Sequence, residues 1–351
     1  MKRQQVCAIK SGKWKVIIMW YESNGKDTDV VISTRIRLAR NLADKPFPGK
    51  LYSEDATDII EKTKKALSGE KLDFINVFSA EPLYNTILLE DHLISSELIS
   101  SKTPCGVFVG ENLSIMVNEE DHLRLQCVLS GYDLEKAYNM VSSLDSRLES
   151  HLPYAFSEKY GYLTKCPTNA GTGMRASVML HLPALTISEN INTIITAVNK
   201  LGVTVRGMYG ENSNANAYIY QVSNQVTLGI SEEETLKKLA DVVDMIIEKE
   251  RHICKTLYDN SPTLFKDKVF RAFGTLANSY SMSTEEFMNL IPYVKMGICT
   301  GLFENISASD INRLIITMQP AHVTKIIGND NFRKRDEMRA SLLRDFFKEK
   351  R

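Results

Sequence analysis

Between residues 30 and 42 the chain reads VVISTRIRLARNL, with Arg35, Arg37 and Arg40 set into what is otherwise the composition of a buried strand. At a side-chain period of two, Ser33, Arg35 and Arg37 share one face and Arg40 falls on the other. Neighbouring guanidinium forks stay charged at any physiological pH and match the oxygens of a phosphate. The alternative is a strand edge with solvated arginines. Arg40, on the opposite face, is expected to be structural.

Three further stretches concentrate unusual residues. NEEDHLR, 118–124, gathers Glu119, Glu120 and Asp121 between two apolar runs. Carboxylates crowded there suit a metal, another cation or a guanidinium, or form a solvated turn. CPTNAGTGMRAS, 166–177, leads from Cys166 through a glycine-rich loop to Arg175. It lacks the Lys-Ser/Thr ending of a P-loop and precedes a strand, so a Walker-type reading fails, leaving a plain turn and a packed thiol as the alternative. RGMYGENS, 206–213, places Arg206 and Glu211 at the ends of a segment bracketed by glycines. Such a loop can close over a substrate and deliver both charges, or can simply connect two strands. Together, an arginine cluster asks for a polyphosphate and separate carboxylates ask for a cationic acceptor. That combination suits phosphoryl transfer from a nucleotide to a basic group.

The elements that would hold these residues alternate over the first 230 positions. Hydrophobic periodicity predicts strands at 30–37, 73–78, 83–89, 105–109, 113–118, 123–129, 174–182, 203–209 and 217–228, with helices at 53–68, 133–150 and 187–200. From Ser231 the pattern turns helical. Ser231 with Glu234 and Ser283 with Glu286 have capping-box spacing, and further helices are expected at 262–279, 307–318 and 329–349. Pro262, Pro292 and Pro320 mark breaks or kinks. The fold class is therefore α+β, an antiparallel or mixed sheet flanked by helices, with a helical C-terminal region.

Composition narrows the partners. The 351 residues hold 43 Lys+Arg and 43 Asp+Glu, so the net charge is zero. That speaks against a bulk nucleic-acid binder or a polybasic membrane anchor, and confines cationic surface to a local site. Six separated cysteines with no C-x-x-C pair fit reduced thiols in the cytoplasm. The apolar patch near the start is short and split by Lys15, so neither a signal peptide nor a membrane span is expected. Residues 1–18 look unlike the rest and are expected to be an extended start or tail.

VISTRIRLARNL, NEEDHLRLQ, CPTNAGTGMRASV and RGMYGE, in this order, resemble the signature segments of the ATP:guanidino phosphotransferases, the creatine and arginine kinase superfamily. The likeness runs from about residue 28 to 228. QPAHV at 319–323 and RDEMRA at 335–340 resemble the bacterial protein-arginine kinase branch. In the small-substrate branches a helical domain precedes the first arginine strand. Here that strand begins near residue 30, which favours arginine within proteins as the acceptor. The domains expected are a catalytic one over 19–258 and a helical one over 259–351.

The resemblance implies that Ser33, Thr34, Arg35, Ile36, Arg37, His92 and Arg124 surround ATP. So would Arg175, Ala176, Ser177, Val178 and Met179, and the loop of Arg206, Gly207, Met208, Tyr209, Gly210 and Glu211. Mg²⁺ would be held mainly by the nucleotide phosphates, with no dedicated protein cage. Glu120 is implied as base and clamp and Glu211 as second clamp. Arg124, Arg175 and Arg206 would serve the phosphoryl group, with Cys166 beside the guanidinium. Arg335, Asp336, Arg339 and Ala340 would form a regulatory phosphoarginine pocket; a solvated basic helix is the plainer reading of those residues. Implied partners are proteins with exposed arginines (a heat-shock repressor, aggregated proteins), a Clp ATPase or protease, a zinc-binding activator and a second copy in a homodimer. The competing readings are a small-molecule phosphagen kinase, an inactive phosphoarginine-binding module and a metal-dependent hydrolase built on Glu119, Glu120, Asp121 and His122.

Overall fold

The structure, a computed structural model, describes residues 6–10, 13–17, 19–207 and 218–350. The chain starts with an antiparallel pair, β1 (Val6–Lys10) and β2 (Lys13–Ile17). The main sheet takes β3 (Val31–Arg40), β4 (Asp73–Ile75), β5 (Gly106–Val109), β6 (Leu113–Val117) and β7 (Leu123–Ser130). A small pair, β8 (Phe156–Ser157) and β9 (Gly161–Tyr162), stands apart, and β10 (Met174–His181), β11 (Val203–Gly207) and β12 (Ile219–Asn224) complete the sheet. Its order is β11-β12-β10-β3-β7-β6-β5-β4, and every pairing is antiparallel. The longest strand, β3, is thus central, which is why VVISTRIRLARNL has so few exposed positions.

One face of this sheet is covered by α1 (Ser53–Ala66), α4 (Leu134–Glu149), α6 (Ile191–Asn199) and α7 (Glu232–Asn260), with Ile36, Leu38, Leu125, Ala176 and Val178 in the shared core. The opposite core joins Trp20, Ile32, Val128 and Met179 to α2 (Pro82–Glu90) and to the C-terminal helices. Those helices are α8 (Pro262–Asn278), α9 (Thr284–Cys299), α10 (Ala308–Thr317), α11 (Pro320–Ile327) and α12 (Phe332–Lys348). The C-terminal helices therefore share a core with the sheet. Between α2 and α4 the short α3 (Ser96–Ile99) intervenes, and α5 (Pro183–Ile187) precedes α6.

Several expected elements change. Residues 83–89 form helix α2, not a strand: Pro82 at its first position is preorganised for a helix, and a short apolar run cannot distinguish the two periods. The strand expected over 73–78 ends at Ile75, and 187–200 is interrupted where Glu189 adopts φ +61°. Pro262 and Pro320 open α8 and α11, whereas α9 runs through Pro292. Ser231 and Glu234 close the expected capping box, and the Ser283 hydroxyl accepts from the Glu286 amide. Among the described residues no helix is long and apolar enough to cross a membrane.

Candidate active site

Strand register builds the site. Arg37 stands opposite Arg175 on β10 and Gln126 on β7; Arg35 stands opposite Ser177 and Val128; Ser33 stands opposite Met179 and Ser130. Directly opposed residues project to the same side, so one face collects Ser33, Arg35, Arg37, Arg124, Arg175 and Ser177. Gln221 and Ser223 on β12 extend it, and Arg206 on β11 stands opposite Gln221 at its exposed edge. Where the strands reach Val128 and Met179 this face belongs to the core with the C-terminal helices. A few residues along, the same face carries guanidinium groups instead.

Alternation also removes residues from the cluster. The side chains of Thr34, Ile36, Ala176 and Val178 are all 0% exposed and lie on the opposite side. Thr34 donates to the Gly131 carbonyl at 2.7 Å. Arg40 likewise points away: its guanidinium meets Asp145 at 2.7 Å, donates to the carbonyls of Ala39 and Thr172, and stacks 3.6 Å from the Tyr162 ring. Arg40 is structural, as its face predicts.

The positive charge of the cluster is only partly compensated, Glu119 pairing with Arg124. Burial, then the Arg124 and Arg175 charges, lowers the Arg35 guanidinium to about 10. The same causes, with Arg35 added, lower Arg37, and burial followed by Arg206 and Arg124 lowers Arg175. Neutral contacts satisfy part of the set: Arg35 donates to Gln221 at 3.2 Å and Arg175 to Ser223 at 3.3 Å. The Nε atoms of Arg37 and Arg175 are buried without a hydrogen-bond partner. Cations confined together with open donors form a receptor for a polyanion. A nucleotide polyphosphate carrying Mg²⁺ fits that donor set.

His92 closes the inner end. It follows α2 in a left-handed conformation, φ +59°, and lines a cleft with Ser33, Arg35, Ser177, Met179 and Gln221. Its carbonyl accepts from Gln126 at 2.7 Å, and its buried Nε2 has no partner. Burial and Arg35 push the imidazole down to about 3, so it is neutral at physiological pH.

The carboxylates sit at the outer end, in the turn from β6 to β7. Asn118, at φ +61°, takes its amide to the His122 carbonyl and donates its side chain to the carbonyls of Ala56 and Pro104. Glu119 pairs with Arg124 and accepts from the Ser95 hydroxyl and the Glu120 amide. Burial would raise the Glu119 carboxyl, but Arg124 and these donors hold it below the ordinary range. Asp121 accepts from Asn41 at 2.6 Å and from the Lys165 amide at 2.7 Å, while His122 bonds the Leu42 amide and the Pro46 carbonyl. Glu120 alone of the three acids is half-exposed. Burial, then Asp121 and Glu119, raises its carboxyl. Among the described residues no three His, Cys, Asp or Glu side chains group as a metal site, and Glu119, Asp121 and His122 are each committed to other partners.

The Asp121–Lys165 bond ties this turn to the Cys166 loop. Cys166 is half-exposed, 3.0 Å from the Thr168 hydroxyl, and the Arg175 guanidinium feels its sulfur. The loop returns to β10 through Gly171, φ +105°, where a Cβ would lie 2.2 Å from the Thr227 carbonyl oxygen. Gly207 is the last residue of β11; Met208, Tyr209, Gly210 and Glu211 lie outside the described residues.

Arg335, Asp336, Arg339 and Ala340 lie on α12. Arg339 is 1% exposed and donates to the carbonyls of Met318 and Met282 and to Asp336, each at 2.8 Å. Ala340 is fully buried, so Arg335 and Asp336 are the members with partial solvent access. Sequence reasoning missed Gln126, Gln221 and Ser223, polar residues at alternate positions of strands that pair with, or next but one to, β3. Only the strand order could identify them.

Known proteins resemble this chain along most of its length. The family model for the ATP:guanido phosphotransferase C-terminal catalytic domain matches residues 54–253, and that for the protein-arginine kinase McsB C-terminal domain matches 262–351. The protein-arginine kinase of Pelotomaculum thermopropionicum is 41% identical over 338 residues, covering 93% of this chain and 95% of that protein. That of Caldanaerobacter subterraneus is 44% identical over 323 residues, covering 90% and 96%. Among solved structures, the duplicated taurocyamine kinase from Schistosoma mansoni with bound transition state analog components has a TM-score of 0.58 at 26% identity. The match covers 68% of this chain and 35% of that duplicated one. A lombricine kinase shares the fold at a TM-score of 0.57 and 23% identity, over 67% of this chain and 69% of that one.

Proposed function

The chain belongs to the ATP:guanido phosphotransferase family, in its protein-arginine kinase branch, and from that premise we propose how its residues divide the transfer of a phosphoryl group from ATP to arginine side chains of proteins. The observation that carries the proposal is the arginine face, compensated only in part, with two buried Nε donors unfilled and a half-exposed carboxylate at its outer end.

Arg35, Arg37, Arg124, Arg175 and Arg206 take the polyphosphate and the charge that spreads over the transferring oxygens. Their mutual repulsion without ligand supports this, because bound phosphate removes it. Mg²⁺ would be held mainly by the nucleotide phosphates and would supply further neutralisation of charge beside these arginines. His92, neutral and with Nε2 open, lies against the nucleoside together with Ser33 and Met179. Thr34, Ile36, Ala176 and Val178, whose side chains are buried on the opposite side, would contribute to the site through their backbone alone.

The acceptor guanidinium is a weak nucleophile because its lone pair is delocalised and its pKa exceeds about 12. A carboxylate hydrogen-bonded to it orients one nitrogen towards phosphorus and takes the proton as the N–P bond forms. Glu120 suits that role: its raised carboxyl is a better base than an ordinary glutamate, while Glu119 is already spent on Arg124. Glu211 would be the second clamp. Cys166 would adjust guanidinium binding without attacking.

Phosphorylation replaces a cation by a group of opposite charge, which would abolish an arginine's contact with DNA phosphate in a heat-shock repressor. Marking of proteins for a Clp protease, control by a zinc-binding activator, a homodimer and a cytoplasmic site complete the reading. The RDEMRA segment would bind phosphoarginine at Arg335 and Asp336, with Arg339 shaping the pocket from within.

Incubation with ATP and either casein or free arginine, followed by non-acidic mass spectrometry, tests the core of this. Acid-labile phosphate on casein arginines is expected. Phosphate on free arginine alone would overturn it.

A further inference from the structure

We infer that the contact between Asp91 and His322 is a positioning contact for the nucleotide site, through which helix α11 sets the conformation of His92. The inference rests on the reading that His92 borders the nucleotide.

Three consecutive residues link the two regions. Glu90, the last of α2, accepts from the amides of Ala321 and His322 at 2.9 and 3.0 Å, in the first turn of α11. Asp91, 0% exposed, meets His322 Nε2 at 3.0 Å; it also accepts from the Tyr21 hydroxyl at 3.0 Å and, through its carbonyl, from Trp20 Nε1 at 2.8 Å. The next residue is His92, held at φ +59°. A left-handed histidine persists only where its surroundings over-determine it. Glu90, hydrogen-bonded to α11, and Asp91, at ion-pair distance from it, supply that constraint from one side, and Gln126 supplies it from the other.

The pair can titrate. Burial alone would lower the His322 imidazole, but Asp91 and Glu90 raise it, against a smaller opposing effect of Lys325 on the same helix. Tyr21, which itself feels Arg313, faces Asp91, and Arg339 faces Glu90. Because the folded value is raised, the ion pair is intact at low pH and is lost as pH rises through it.

Calorimetric affinity for ADP, measured between pH 6 and pH 9, tests this on the full chain. His322→Gln is expected to weaken binding roughly fivefold or more, with kcat at saturating ATP little changed. The wild type should lose affinity as pH rises through the His322 titration, and the variant should not. Asp91→Asn should match His322→Gln and, combined with it, add little. If Asp91→Asn fails to fold, the wild-type and His322→Gln pH profiles still decide. His92→Ala separates the two levels: unchanged ADP affinity there overturns both the nucleotide reading and this inference. Weakened affinity in His92→Ala, with His322→Gln matching wild type at every pH, overturns the positioning contact alone.

Discussion

Arg37 on β3 and Arg175 on β10 stand directly opposite each other, and the Nε of each is buried without a hydrogen-bond partner. Sheet neighbours with like charge are ordinarily destabilising. Here the repulsion is retained across three adjacent strands, with Glu119 paired to only one member of the group. The site is thus held ready for an anion at a cost to the empty protein.

Replacing one member should separate function from stability. Arg37→Ala is expected to weaken ATP binding by about 10- to 100-fold, on the order of 1.5–3 kcal/mol for hydrogen bonds to a charged group. The ligand-free melting temperature should hold or rise, because a repulsive buried charge is gone. A clear drop in melting temperature with ATP affinity intact would refute the prediction.

Glu120→Gln keeps the shape of the side chain and removes the base. Arginine phosphorylation should fall by about 10²–10⁴-fold. ADP affinity, read by calorimetry, should stay close to wild type because Glu119, not Glu120, holds Arg124. Turnover near wild type would remove Glu120 from the proton transfer.

The pH dependence follows from the same residue. Glu120 must be deprotonated to act, and its carboxyl is raised by burial and by its neighbours Asp121 and Glu119. As pH falls, protonation therefore begins above the ordinary glutamate value of about 4.3. The acid limb of kcat/KM should lie above that value. A limb at or below it would contradict the electrostatics of the turn.

Arg40 and Asp145 make a buried pair remote from the arginine face, with side chains 3% and 9% exposed. Asp145→Ala strands a buried cation and should cost about 3–5 kcal/mol in urea unfolding. The residual folded fraction should bind ADP normally, since Arg40 does not face the site.

Gly171 lies where β9 and the segment around Thr227 approach each other. Gly171→Ala is strained at φ +105° and drives a Cβ into the Thr227 carbonyl. Displacement of the Cys166 loop should raise KM for the arginine substrate more than KM for ATP. Equal effects on both constants would show that the loop does not serve the acceptor side.

The sequence by itself determined which strands matter and which way their residues point. Period two in VVISTRIRLARNL separated Arg35 and Arg37 from Arg40, and the pairings with β7 and β10 kept that division. It also carried the family, because four motifs in order leave little room for chance. It could not separate strand from helix at 83–89, where a short apolar run satisfies both periods until Pro82 and the packing against α11 decide. Alternation over 174–182 likewise set Arg175, Ser177 and Met179 on one face and Ala176 and Val178 on the other. What it could not supply is that β10 lies between β3 and β12, so that this face continues the one bearing Arg35 and Arg37. Glu119 and Glu120 are adjacent and chemically identical in the chain. Only the fold spends one on Arg124 and leaves the other half-exposed with a raised carboxyl, because burial and neighbouring charge are properties of position in space. The same holds for Arg339, a basic residue on a charged helix in sequence, which tertiary packing turns inward onto the carbonyls that precede α11 and follow α8.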